Sequence, residues 1–248
     1  MKIVYHPRFK EVYESDPAAK AGRMECIVDV LLPHYDFVTP EAASVNDILL
    51  VHTPRHVSRI QRWPELYEMA LLAAGGAVLS AQLACEGEPA FGVVRPPGHH
   101  ASPDGCWGFC FFNNIAISIA KLREQGKITS AIILDIDMHF GDGTDTFFSR
   151  INDVVVLNPG GNRQEFLDEI SRVLERENAD IIAVSAGFDR HELDWGRQLK
   201  TEDYRIIGEK VKDFSERACQ GRRFGILEGG YNLDVLGENV KAFIDGMN

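Results

Sequence analysis

The chain is short of several things, and each shortage closes off a class of function. Basic residues are too few: 26 Lys and Arg stand against 37 Asp and Glu, a formal net charge of −11 over 248 residues. Sequence-independent nucleic-acid binding draws its affinity from cations on phosphates, so no nucleic-acid partner is expected. No apolar run approaches the roughly 18–20 residues of a membrane span, so no membrane partner is expected either. The opening residues MKIVYHPRFKEVYESD hold no apolar core of the secretory kind. Cysteines are five and scattered (Cys26, Cys85, Cys106, Cys110 and Cys219), an odd count that favours reduced thiols in a cytoplasm. Cys106 and Cys110 have no second pair at matching spacing and read as structural. No repeat, low-complexity tract or linker interrupts residues 1–248, which read as one domain. With 45% hydrophobic residues, a chain of this length buries about 70–75% of its unfolded surface without disulfides.

What is present is an alternation. Short apolar runs, rich in Val, Ile and Ala, occupy residues 2–5, 90–94, 130–136, 153–157, 180–185 and 223–227. They lack polar alternation, which suits strands buried on both faces of a parallel sheet. Longer amphipathic stretches at 65–85, 113–124, 163–177 and 201–219 read as helices. Asn162 and Thr201 are placed to cap the last two. Strand and helix in alternation predict an α/β domain on a mainly parallel sheet, with any ligand at the carboxyl ends of the strands.

Those strand ends carry chemistry. The run at 90–94 leads into Arg95-Pro96-Pro97-Gly98-His99-His100-Ala101. The run at 130–136 leads through Asp135, Asp137 and His139 to Gly141-Asp142-Gly143-Thr144. The run at 180–185 ends in Ala186-Gly187-Phe188-Asp189, and the last in Glu228-Gly229-Gly230-Tyr231. In an extended strand Asp135, Asp137 and His139 share one side. Asp137, His139 and Asp189 then make a three-ligand site with a coordination position open, the pattern of a catalytic metal. Zinc is the first choice; iron(II), cobalt or manganese also suit two carboxylates and an imidazole. Each motif alone reads as a turn or a cap. Together, after four separate buried strands, they place several acidic groups at one edge, and a metal offsets their repulsion.

With these residues in view, the chain resembles the histone deacetylase family, which includes bacterial and archaeal deacetylases and acetylpolyamine amidohydrolases. RPPGHHA (95–101), GFCFFNN (108–114), LDIDMHFGDGT (134–144), SAGFD (185–189) and LEGGYN (227–232) carry the resemblance. It implies an arginase/deacetylase-like three-layer αβα sandwich and hydrolysis of an N-acylated amine, such as acetyl-lysine in a protein or an acetylpolyamine. By the same resemblance Asp137, His139 and Asp189 are the zinc ligands. His99 is the first active-site histidine, buffered by Asp135. His100, with Asp142, is the general base and acid. Tyr231 donates to the substrate carbonyl, and Gly108 and Phe109 line the acyl tunnel.

Some positions depart from the family pattern. Asn158-Pro159-Gly160-Gly161 leads almost directly to the next helix, where the family places a long loop that walls the tunnel. The shortened loop near 158–162 leaves the pocket wider, or completed by another subunit in a homo-oligomer. Phe140 replaces a frequent histidine, and residues 13–23 depart from the usual entrance. Val156 stands where a hydroxyl is usual, so potassium is not expected. A dimanganese ureohydrolase would want further carboxylates beside Asp189, where the chain has Arg190-His191. A non-catalytic acyl-amine binding module would be expected to lose His100 or Tyr231, and both are present.

Overall fold

Seven strands, all parallel, form the spine of the computed structural model, which describes residues 1–248. They are β1 (Lys2–Val4), β2 (Asp36–Val38), β3 (Ala90–Gly92), β4 (Ala131–Asp135), β5 (Val154–Leu157), β6 (Ile182–Ala186) and β7 (Arg223–Leu227), ordered β2-β1-β3-β7-β6-β4-β5. Every residue of β3, β4, β6 and β7 is buried, as their unbroken apolar runs require.

Helices cover both faces. On one lie α4 (Pro64–Cys85) and α5 (Asn114–Glu124); on the other α1 (Arg23–Leu31), α7 (Arg163–Arg176), α8 (Thr201–Ala218) and α9 (Leu233–Met247) pack in series. Short helices α2 (Val45–Ile48), α3 (Pro54–Ile60) and α6 (Asp142–Phe148) complete the order. The result is the three-layer αβα sandwich.

Several expectations need correction. Helix α4 is long and apolar enough to cross a membrane by length and composition, contrary to the reading that no run approaches that length. Its residues Met69, Ala73, Ala77 and Ala81 are nevertheless buried, and the helix packs on β1, β3 and β7. Thr201 does not cap α8. Lys200 holds the N-cap position, its N–H bound by Asp203, while the Thr201 hydroxyl donates to Asn239 Oδ1 at 2.7 Å. Asn162 does cap α7, in a capping box with Glu165. Strand β4 stops at Asp135, so Asp137 and His139 lie in the following turn rather than on one extended face.

Candidate active site

The turn after β4 is folded around its own carboxylates. Asp137 N–H donates to Asp135 Oδ1 at 3.1 Å, and His139 N–H to Asp137 Oδ1 at 2.9 Å. Past the end of β6, Asp189 enters from the neighbouring strand and accepts Met138 N–H on Oδ1 at 2.9 Å. Ligand atoms of Asp137, His139 and Asp189 thereby lie within 4.8 Å of one another.

Electrostatically this trio is in conflict. His139 Nδ1 stands 3.1 Å from both Asp137 Oδ1 and Asp189 Oδ2, yet one ring nitrogen carries at most one proton. Asp189 Oδ2 is buried without a hydrogen-bond partner. Burial, then the Asp137 charge, pushes the Asp189 carboxyl up to about 7. Hydrogen bonds to Asp137 and Asp189 hold the His139 imidazole at about 10, against its partial burial. A divalent cation removes the conflict by taking one nitrogen and two oxygens as ligands, so the residues fit a metal. Room for it comes from missing side chains: a Cβ on Gly229 would press on Asp137 Oδ2 and lie 2.9 Å from Asp189 Oδ2.

Two histidines flank the trio. His99 Nδ1 pairs with Asp135 Oδ2 at 2.9 Å, and His100 Nδ1 with Asp142 Oδ1 at 2.6 Å. The His99 ring is buried. Burial works against its charge, but Asp135 and Asp137 outweigh it and hold the imidazole well above the usual range. His100 goes the other way: burial, then the neighbouring His99 charge, lowers it to about 4 despite Asp142. Its neutral ring, with Nδ1–H given to Asp142, presents Nε2 as an acceptor.

Tyr231 follows β7, on the far side of the pocket. Burial, then Asp137 and Asp189, raises its phenol far above the usual range, so it stays a donor at neutral pH. Gly108 and Phe109 both adopt left-handed backbone, with φ of 58° and 65°. A Cβ on Gly108 would meet the His100 ring at 2.5 Å. At Phe109 that conformation costs of order 1–3 kcal/mol, and it brings the ring to 6.4 Å from Tyr231, edge-on. Pro97, His99, His100, Gly108, Phe109, His139 and Tyr231 line a pocket of about 280 Å³, closed by Trp107, Trp195 and Gly229. Every residue singled out from the sequence is therefore in this one region. Residues 158–162 are not among its walls.

Five participants escape a sequence reading. Glu228, fully buried, accepts Gly98 N–H at 2.7 Å and His99 N–H at 3.2 Å, pinning the histidine loop; burial raises it to about 7. Arg23 ties Gly230 O and Glu228 O at 2.8 and 2.6 Å, with its guanidinium 5.7 Å from the Tyr231 ring. Trp107, Trp195 and Asp194 are the others. Glu228 shares with Asp135 and Asp189 its place at a strand end, which was the available signal. Arg23 opens α1 and the other three lie in loops, and the fold alone brings them to their partners.

The family model described as "Histone deacetylase domain" matches residues 62–159 and 155–247, two segments that meet where β5 ends. A "Probable deacetylase" of Methanothermobacter thermautotrophicus is 30% identical, with all of this chain and 91% of the relative covered. A "Histone deacetylase-like amidohydrolase" of Pseudomonas aeruginosa is 30% identical over 85% of this chain and 70% of its own. Among solved structures, the crystal structure of the HDA15 HD domain superposes with a TM-score of 0.80 at 22% identity, covering 98% of this chain and 88% of that one. It shares the fold.

Proposed function

We propose, on the premise that this chain belongs to the histone deacetylase family and is a hydrolytic deacetylase, that it is a single-zinc amidohydrolase that removes acetyl or a related acyl group from an N-acylated amine. The convergence of Asp137, His139 and Asp189, with His139 on the wall of a pocket shared with His100 and Tyr231, carries this reading.

Asp137, His139 and Asp189 would hold the ion, with Zn2+ first and Fe2+, Co2+ or Mn2+ as substitutes. Once bound there, it supplies Lewis acidity toward the amide carbonyl and an acidified water. His100 Nε2 takes the proton of the attacking water and returns it to the leaving amine. Asp142 fixes the tautomer that leaves Nε2 free and steadies the imidazolium when it forms. His99, already charged beside Asp135, lowers the basicity of His100 and offsets the carboxylates around it. The Tyr231 hydroxyl donates to the carbonyl oxygen as negative charge builds, a contribution worth roughly 3 kcal/mol in comparable sites. Acetyl-lysine in a protein and an acetylpolyamine are the substrates proposed. Five unpaired thiols support a reducing, cytoplasmic setting.

A dimanganese ureohydrolase is disfavoured by Arg190. Its Nε donates to Asp137 O at 3.0 Å, which sets a fixed cation beside the trio where a second metal would need carboxylates. The test is acetate release from acetyl-lysine peptides and acetylated diamines, with metal quantified on the same sample. One ion per chain, activity abolished by chelation and restored by zinc is the expected result. Two ions per chain, or no acetate from any N-acetyl amine at high enzyme concentration, would overturn it.

A further inference from the structure

Two tryptophans stand half-exposed at the mouth of the pocket, Trp107 at 55% and Trp195 at 49%. Exposed indoles are uncommon, since each carries about 150–250 Å² of area that burial would stabilise. Here each lies on a different half of the machinery. The Trp107 ring covers His100, centroids 3.8 Å apart, and its Nε1–H donates to Asp142 Oδ2 at 2.9 Å. The Trp195 ring stacks on Tyr231 at 4.0 Å and 25°, and meets His139 edge-on at 6.2 Å.

The loop that bears Trp195 is braced. Asp194 accepts Trp195 N–H on Oδ1 at 2.7 Å, and the N–H groups of Tyr231 and Asn232 on Oδ2 at 2.8 Å each. Gly196 N–H closes the turn on Asp189 O at 2.7 Å. Three hydrogen bonds to a nearly buried carboxylate and one to the backbone of Asp189 hold the indole against Tyr231. Residues 158–162 make no wall of the pocket, and Arg190 ties Pro159 O into the region of Met138 instead.

Resting on the deacetylase reading above, we infer that Trp107 and Trp195 are specificity-determining residues, facing walls of the passage to the reacting carbonyl. A carbonyl placed between His100 and His139, whose ring centroids are 5.9 Å apart, has its chain leave past the two indoles. Those rings bind an unbranched methylene chain and exclude branching next to the amide nitrogen. Trp107 is in addition a positioning residue for the His100–Asp142 pair, and Asp194 for the Trp195–Tyr231 stack.

The test compares N-acetylpentylamine with N-acetylcyclohexylamine on the zinc-loaded protein, and reads binding by tryptophan emission with 2-octanone. In that ketone carbon replaces the amide nitrogen, so it cannot be hydrolysed. For Trp195→Ala the KM for the linear amide is expected to rise about tenfold, the size of effect expected from losing a methylene or two of apolar contact. The preference for linear over cyclic amide, as kcat/KM, is expected to fall about tenfold with it. Trp195→Phe is expected to recover most of both. Trp107→Phe, which keeps a ring but loses the bond to Asp142, is expected to lower kcat more than it raises KM. Unchanged linear-to-cyclic preference in Trp195→Ala, with metal content and thermal midpoint intact, would overturn the inference. So would an equal loss on both amides, and so would wild-type tryptophan emission that does not respond to the ketone. If the wild type shifts its emission with 2-octanone but hydrolyses neither amide, the walls stand and the deacetylase reading falls.

Discussion

In the proposed reaction Tyr231 has one chemical act, the donation of a hydroxyl hydrogen, so removing that oxygen isolates it. Tyr231→Phe is expected to retain its ion and lose about 10²-fold or more in kcat, as measured by acetate release alongside metal analysis. An unchanged rate would take the phenol out of the chemistry. A second residue sets behaviour in acid. His52 is buried and donates Nδ1–H to Ser102 O at 3.0 Å, while Nε2 accepts Asn113 N–H at 2.9 Å, so the fold needs it neutral. Burial, then the neighbouring His56, lowers it to about 3. The unfolded chain takes up that proton near pH 6.5, so stability is complete above 6.5 and declines as pH falls toward 3. By pH 5 the loss is on the order of 2 kcal/mol. Thermal unfolding at pH 7 and pH 5 should show this decline, and His52→Gln should flatten it. At this scale the candidate metal-binding and acid–base residues were legible as a cluster because each follows an apolar strand. Trp107 and Trp195 were not, because a tryptophan in a loop declares nothing until its stacking partner is known.

Among the elements, six of the seven strands and four of the five long helices were readable, since burial on both faces or one-sided amphipathicity leaves a period; α9 was not read. Strands β1 and β2 have only three residues each, and β2 is half open to solvent, so β2 left no run to find. Helix α1 begins at Arg23 after Gly22, which offers no side-chain cap, and α6 spans only seven residues. The end of β4 was misplaced because apolar Ile136 continues the strand pattern. The side-chain bond from Asp135 to Asp137 N–H breaks it. The turn after β7 has its own constraint. Gly229 N–H donates to Asp137 Oδ2 at 2.8 Å, and its missing Cβ admits the two carboxylates. Gly229→Ala is therefore expected to weaken metal affinity by about 10-fold or more, in the range seen when supports of metal ligands are altered. Far-ultraviolet circular dichroism should stay unchanged; full zinc occupancy at stoichiometric metal would contradict the prediction.

For the whole molecule, seven parallel strands set all the chemistry on one rim, while three buried arginines tie distant segments inward. Arg95 donates to Glu11 O and Lys20 O at 3.0 Å each, and Arg223 to Met247 O at 2.6 Å. Arg23 does the same for the turn carrying Tyr231. The Asp137–His139–Asp189 trio joins strands β4 and β6, so an ion bound there stabilises only the folded state. At a free-metal concentration near 100 times Kd the effect is about 2.7 kcal/mol. Stripping metal with a chelator should lower the thermal midpoint of the wild type and leave that of Asp189→Asn unmoved. An equal drop in both would place the stabilising ion elsewhere.

The uniform direction of the sheet also gives the protein a blind end. Helix α4 finishes at half-buried Cys85, just ahead of β3, on the rim opposite the pocket. A tether or fused neighbour attached on that side leaves the tryptophan-flanked opening facing outward, which suits immobilisation in a fixed orientation.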